Sequence, residues 1–259
     1  MLRKQTVAAA VVVGLASAVP FAGVSAETDR FFRVDEDILD RDLELTSGEE
    51  AGEIEDLVVD RDGRVRFALV ERGGVLNIGE KHAGVPWESI QANEEGEWTV
   101  SVSEAQLKDI PRYDRGRSTD WTDSKVVSEI AAFFGAEAEE IPGPPLRMED
   151  ELLDRDLSLA GGEKLGEVEE VIIDQEGRVR YVVIEHEGAL DLQQEVVVLP
   201  WEALQASPEG LMVNLDKGVL GSAPVFDDED DIDWNDRAVV SEIATFWEGR
   251  TESPAKQGQ

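Results

Sequence analysis

Leu39-Asp40-Arg41-Asp42-Leu43 returns as Leu153-Asp154-Arg155-Asp156-Leu157, an offset of 114 residues, and the segment that follows each copy decides how the chain is built. From Leu39 to Glu71, 17 of 33 positions are identical to their counterparts at 153–185, far more than coincidence supplies. The same offset carries Pro86-Trp87-Glu88 onto Pro200-Trp201-Glu202. After one deletion, an offset of 113 carries Asp120-Trp121 onto Asp233-Trp234 and Ser128-Glu129-Ile130-Ala131 onto Ser241-Glu242-Ile243-Ala244. Solenoid repeats recur every ~20–50 residues, so a period this long marks a duplicated domain.

Each copy reads as strands. The apolar runs Leu57-Val58-Val59 and Val171-Ile172-Ile173 end at acidic-Gly corners, Asp62-Gly63 and Glu176-Gly177. Alternating stretches follow, with Val65, Phe67 and Leu69 on one face of the first copy and Val179, Tyr181 and Val183 on one face of the second. Two such runs joined at a Gly corner read as a β-hairpin. A further strand leads into each Pro-Trp pair, where proline marks a strand end that spares a ladder donor. Trp98–Val102 and Leu211–Leu215 supply one more per copy. At least four or five short strands per copy suffice to curl into a small barrel with few bare edges. Val126, Ile130, Phe133 and Phe134 recur at helical spacing, as do Val239, Ile243, Phe246 and Trp247, with Asp123 or Ser124 and Asn235 or Asp236 as N-caps.

Composition bounds the setting. Acidic residues number 58 against 24 basic ones, a formal charge of −34, and no Lys or Arg block interrupts that field. Phosphate backbones and anionic headgroups are repelled, which argues against nucleic acid as a partner. The carboxylate-rich, Lys-poor balance fits a halophilic protein, whose self-repulsion concentrated salt would screen. Cysteine is absent, excluding disulfides, thiolate catalysis and Cys-based metal sites. Residues 1–26 read as a secretory signal: Arg3 and Lys4, an apolar run over 7–18, the break at Pro20, and Val24-Ser25-Ala26 for cleavage. The mature chain then starts at Glu27, has no membrane span, and sits in the periplasm or outside a bacterial cell.

The motif order in both copies resembles the PRC-barrel family. In the first it runs Gly52-Glu53-Ile54-Glu55-Asp56-Leu57-Val58-Val59-Asp60, the Gly63 turn, Gly73-Gly74, Val85-Pro86-Trp87 and Ile110-Pro111-Arg112-Tyr113; in the second, Gly166 to Asp174, Gly177, Gly188, Leu199-Pro200-Trp201 and Ala223-Pro224-Val225-Phe226. The resemblance implies a small barrel of about six strands, like those in the cytoplasmic part of the photosynthetic reaction centre H subunit and in a ribosome-maturation factor. There the barrel docks and scaffolds. This chain lacks the former's transmembrane helix and the latter's extra domain, so the fold and a habit of binding macromolecules carry over, and neither specific function does.

The expected architecture is therefore mainly β: two small PRC-type β-barrels in tandem, each closing on itself and each followed by a short amphipathic α-helix. Its divisions are a signal peptide at 1–26, an acidic and mobile tail at 27–37, a first module at 38–140, a Pro/Gly linker at 141–150, a second module at 151–250 and a polar tail at 251–259. No catalytic, cofactor-binding or metal-ligating residues are assigned. His82 and His186 have no counterpart in the other copy, form no pair at triad or metal spacing, and read as surface or loop residues. Trp87 and Trp201 read as core residues that fill the barrel mouths and hold their own helices. The function expected is a non-enzymatic exported scaffold that docks an unidentified protein partner. The alternative is a cation-binding or salt-responsive protein with a calcium site in 227–242, where Asp231, Asp233, Asn235 and Glu242 fall at positions 1, 3, 5 and 12 of an EF-hand-like loop. Position 6 is Asp236 rather than Gly, and the first copy offers only Ser118, Asp120, Thr122 and Glu129.

Overall fold

The computed structural model describes residues 30–71, 81–93, 96–114, 119–186, 196–207, 210–226, 228–229 and 232–251. The expected signal peptide, the end of the polar tail, Gly73-Gly74, Gly188, Ser118, Asp227 and Asp231 lie outside them.

The β-branched and apolar runs become the two longest strands, and everything else is arranged on them. The chain runs through β1 (Phe31–Arg33), a helical turn at Val34–Ile38, β2 (Arg41–Leu45), β3 (Glu50–Val59), β4 (Val65–Glu71), β5 (Lys81–Pro86), β6 (Ile90–Ala92), β7 (Trp98–Val100), α1 (Glu104–Leu107), β8 (Arg112–Asp114) and α2 (Ser124–Phe134). It continues through β9 (Leu146–Arg147), α3 (Met148–Glu151), β10 (Asp156–Leu159), β11 (Lys164–Asp174), β12 (Val179–Glu185), β13 (Val196–Pro200), β14 (Leu204–Ser207), β15 (Gly210–Val213), α4 (Lys217–Leu220) and α5 (Arg237–Trp247). Two curled sheets result, ordered β6-β7-β2-β3-β4-β5-β8 and β13-β12-β11-β10-β15-β14. The mainly β reading, two PRC-type barrels in tandem each followed by a helix, is the observed architecture. Asp123 and Asp236 cap the two helices, each accepting an amide of the first turn, from Lys125 and Ala238.

The expectation that each barrel closes on itself needs correction. β1, ahead of the first copy, pairs antiparallel with β11 of the second, Phe31 opposite Asp174 and Arg33 opposite Ile172. Reciprocally β9, ahead of the second copy, pairs with β3 of the first, Val58 opposite Arg147. The cause is strand length. β3 and β11 outrun their hairpin partners β2 and β10, leaving backbone donors and acceptors along one edge that must find partners. The arm of the other copy supplies them. The stretches expected as tail and linker, 27–37 and 141–150, contain these arms: Asp35, Glu36 and Asp37 belong to the helical turn packed on β11, and Leu146-Arg147 is a strand. The duplication extends back to cover them, since Arg33, Asp35, Glu36 and Asp37 align with Arg147, Glu149, Asp150 and Glu151 at the same offset of 114.

The same pseudo-two-fold relation governs the hairpin turns. Val65 donates to the Gly177 carbonyl at 2.8 Å and Val179 to the Gly63 carbonyl at 2.7 Å. Trp87 lies over Gly177 and Trp201 over Gly63, so close that a Cβ on either glycine would sit 2.3 or 2.6 Å from the indole. Both glycines have positive φ, +75° and +77°, a region most side chains avoid. The two tryptophans are core residues, as expected, and each clamps the opposite copy's turn. The arm residue Phe31 meets Tyr181 of the second barrel with ring centroids 6.5 Å apart, while Phe32 meets Trp98 of the first at 4.8 Å. One continuous hydrophobic core therefore spans both copies.

Candidate functional site

Two buried carboxylates hold the arms. Asp56 and Glu170 are equivalent positions, with 0% and 2% of their surface exposed. Asp56 Oδ1 accepts amides from Leu57 at 2.7 Å and from the arm residue Glu149 at 2.9 Å, and Oδ2 lies 2.7 Å from the Arg147 guanidinium. Glu170 Oε1 accepts from Val171 at 2.7 Å and from the arm residue Asp35 at 3.0 Å, and Oε2 lies 3.4 Å from Arg33 Nε. Burial nonetheless dominates: it pushes the Asp56 carboxyl up to about 6 against the pull of Arg147 and the amides, and the Glu170 carboxyl up to about 7 against its amides and Arg33. In both arms the arginine amide is taken by a carboxylate four residues on, Asp37 or Glu151, at 2.8 Å.

Beside the joint between β9 and β3, where Arg147 meets Asp56, opens a cleft of about 880 Å³. It is lined by Leu69, His82 and Tyr113 of the sheet together with Trp121, Pro144 and Arg147. Trp121 is fixed by Tyr113 and Phe67, at centroid distances of 5.4 and 5.7 Å. Asp120 at the rim accepts both the amide and hydroxyl of Thr122, at 2.9 and 2.6 Å, and those bonds hold its carboxyl below the usual range. Asp120, Glu140, Asp150 and Glu151 make the rim acidic. Elsewhere the described surface carries one large exposed apolar side chain, Val225.

The expectation of surface histidines is corrected, since both are buried: His82 is 4% exposed on β5, and His186, in the loop that leaves β12, is 5% exposed. His82 lies on β5 between β4 and β8, opposite Glu71 on one side and Tyr113 on the other. His186 Nδ1 sits 2.9 Å from the Leu165 carbonyl oxygen, a buried contact just past β12. Sequence spacing conceals such positions, because cross-strand pairing sets a histidine's neighbours. Of the calcium-loop residues, Asp233 accepts the Asn235 amide at 2.9 Å, Asp236 caps α5, and Glu242 is exposed on that helix.

Two residues the sequence does not single out, Glu55 and Glu71, join His82 to complete the picture. β3 and β4 change register between Ile54 and Asp56, so Glu55 is the extra residue of a β-bulge. There the donor atoms of Glu55, Glu71 and His82 all lie within 4.8 Å of one another. The equivalent bulge of β11 holds Glu169, beside Glu185, with Val196 in the place of His82. There burial, the hydrogen bond that the protonated Glu169 donates to Glu185, and the nearby Glu229 push the Glu169 carboxyl up to about 7.

Two curled sheets, each built on a bulged long strand and each ending its fifth strand in a Pro-Trp pair, define a tandem barrel class. The PRC-barrel domain model matches twice, over residues 34–107 and 150–220, and the chain belongs to that family. No curated protein matches it. Among the described residues no helix is long and apolar enough to cross a membrane.

Proposed function

We propose that the protein is a non-enzymatic, exported scaffold whose tandem PRC barrels dock a protein partner in the cell envelope, through the cleft beside the first barrel. Family membership is consistent with a binding or scaffolding module. The observation that carries the reading is the cleft itself, with an aromatic and proline wall under an acidic rim. Aromatic and proline surfaces accept extended peptide segments, and a rim of carboxylates selects basic ones. The occupant is an extended, Lys- or Arg-bearing segment of an envelope protein. Export follows from residues 1–26, and N-terminal sequencing of protein made in a bacterial host should begin at Glu27; an intact Met1 refutes it.

A photo-crosslinker at Thr122 tests the docking. One envelope protein should be captured reproducibly, and Asp120→Lys with Glu140→Lys should abolish capture. Glu104→Lys, on α1 away from the cleft, should leave it intact. Capture indifferent to reversal of the rim charge, or no reproducible capture, overturns the proposal.

A further inference from the structure

The bulge in the first barrel places one imidazole and two carboxylates on a common point, and the duplication supplies a natural control that lacks the imidazole. Glu71 and His82 are directly opposed across β4 and β5. The register shift between Ile54 and Asp56 brings Glu55 to the same place. His82 is buried while the two glutamates are half-buried, so the site has one inner donor and two outer donors nearer the surface. One nitrogen with two carboxylate oxygens is a donor set suited to a borderline divalent ion, with water completing its shell. Zinc holds such ligands at about 2.0–2.2 Å, hence roughly 3.5 Å from one another in a tetrahedral shell. Separations within 4.8 Å thus exceed that spacing by no more than about 1.3 Å.

We propose that Glu55, Glu71 and His82 form a site for a divalent transition-metal ion of the zinc type, confined to the first barrel. In the second barrel Glu169 and Glu185 keep the carboxylate pair, but Val196 removes the nitrogen donor. The pair shares a hydrogen bond instead. Next in the row, Tyr113 opposes His82, and its hydroxyl is buried with no hydrogen-bond partner among the described residues; Phe226 is its counterpart in the second copy. The imidazole and the hydroxyl of the row thus exist in one barrel and are replaced by apolar side chains in the other. An ion there ties β3, β4 and β5 together beside the cleft, yet the assignment does not depend on what the cleft holds.

The experiment uses the untagged purified protein in 1 M NaCl, where diffuse attraction of cations to a chain this acidic is screened. Co²⁺ is followed by its visible absorption and Zn²⁺ by calorimetry. One ion per chain is expected, with His82→Val, which installs the residue of the second barrel, weakening binding at least tenfold. Glu71→Gln should weaken it as well. Val196→His should raise the stoichiometry from one to two, a result that loss of folding cannot imitate. Absence of saturable binding in the parent protein overturns the proposal, as does unchanged affinity in His82→Val, or binding of Ca²⁺ in preference to Zn²⁺.

Discussion

The two barrels share half their residues over the matched core, yet they differ where a ligand could be held and agree where they hold each other. The polar contacts of the arm joint and the turn clamps are present twice: Arg33 and Arg147, Asp35 and Glu149, Glu170 and Asp56, Gly63 and Gly177, Trp201 and Trp87. The outer face is different. The row Glu71, His82, Tyr113 of the first barrel is Glu185, Val196, Phe226 in the second. Its helix differs too, since α5 ends in Trp247, wholly buried and donating to the Val198 carbonyl at 3.0 Å, where α2 has the half-buried Phe134. Duplicated contacts maintain the pair as one body, while the single-copy features are where a specific task could settle.

Removing the first arm should break the comparison most severely. Deleting residues 27–38 strips β11 of its edge partner and uncovers the core that Phe31, Phe32, Val34 and Ile38 fill. At ~1.5–3 kcal/mol for each large apolar side chain, the loss should exceed about 5 kcal/mol and fall mostly on the second barrel, the first losing the Phe32 and Asp37 contacts of Trp98. Calorimetry should then show two transitions, the second barrel melting first; a single transition near the parent temperature would refute the interlock.

Cutting one ion pair should cost somewhat less. Arg147→Met and Arg33→Met each leave a buried carboxylate without its cation, which is worth about 3–5 kcal/mol. In urea at pH 8 both should lose stability by comparable amounts, given the symmetry of the joints. At pH 5 the loss for Arg147→Met should shrink, because Asp56, already up to about 6 with its arginine present, takes a proton. A cost independent of pH would show that the arginine acts by packing alone.

Gly177→Ala and Gly63→Ala probe the clamps. A Cβ meets the indole of Trp87 or Trp201 and is held at positive φ, for a combined cost of ~2–4 kcal/mol. Gly177→Ala should be the more damaging, because its approach is the closer. Equal effects would mean that backbone strain outweighs the contact.

The smallest expected effect concerns the parent protein. Asp56, Glu169 and Glu170 bind protons more tightly folded than unfolded, so their contribution to stability is complete below pH 4 and is lost as pH rises through 6 to 7. Melting temperature should therefore be higher at pH 5 than at pH 8. Molar NaCl should raise it at pH 8, as screening relieves the formal charge of −34. Insensitivity to salt would argue against a halophilic adaptation.

Strand periodicity, turn glycines and the 114-residue offset were enough to place both barrels, the hairpins and the capped helices, because those features depend on local residue pattern. The arms were legible in part: Arg33 aligns with Arg147 six residues ahead of the first quoted motif, but their acidic composition reads as solvated tail when pairing is unknown. Glu55, Glu71 and His82 were not legible, since spacings of 16 and 11 residues resemble no ligand motif. A one-residue bulge and the strand register bring them together, and register is a property of the sheet. Composition and repetition thus determine which strands form and how many times. Which barrel each arm completes, and which side chains meet across the pleat, is decided only when long strands with unpaired edges find the nearest chain able to satisfy them.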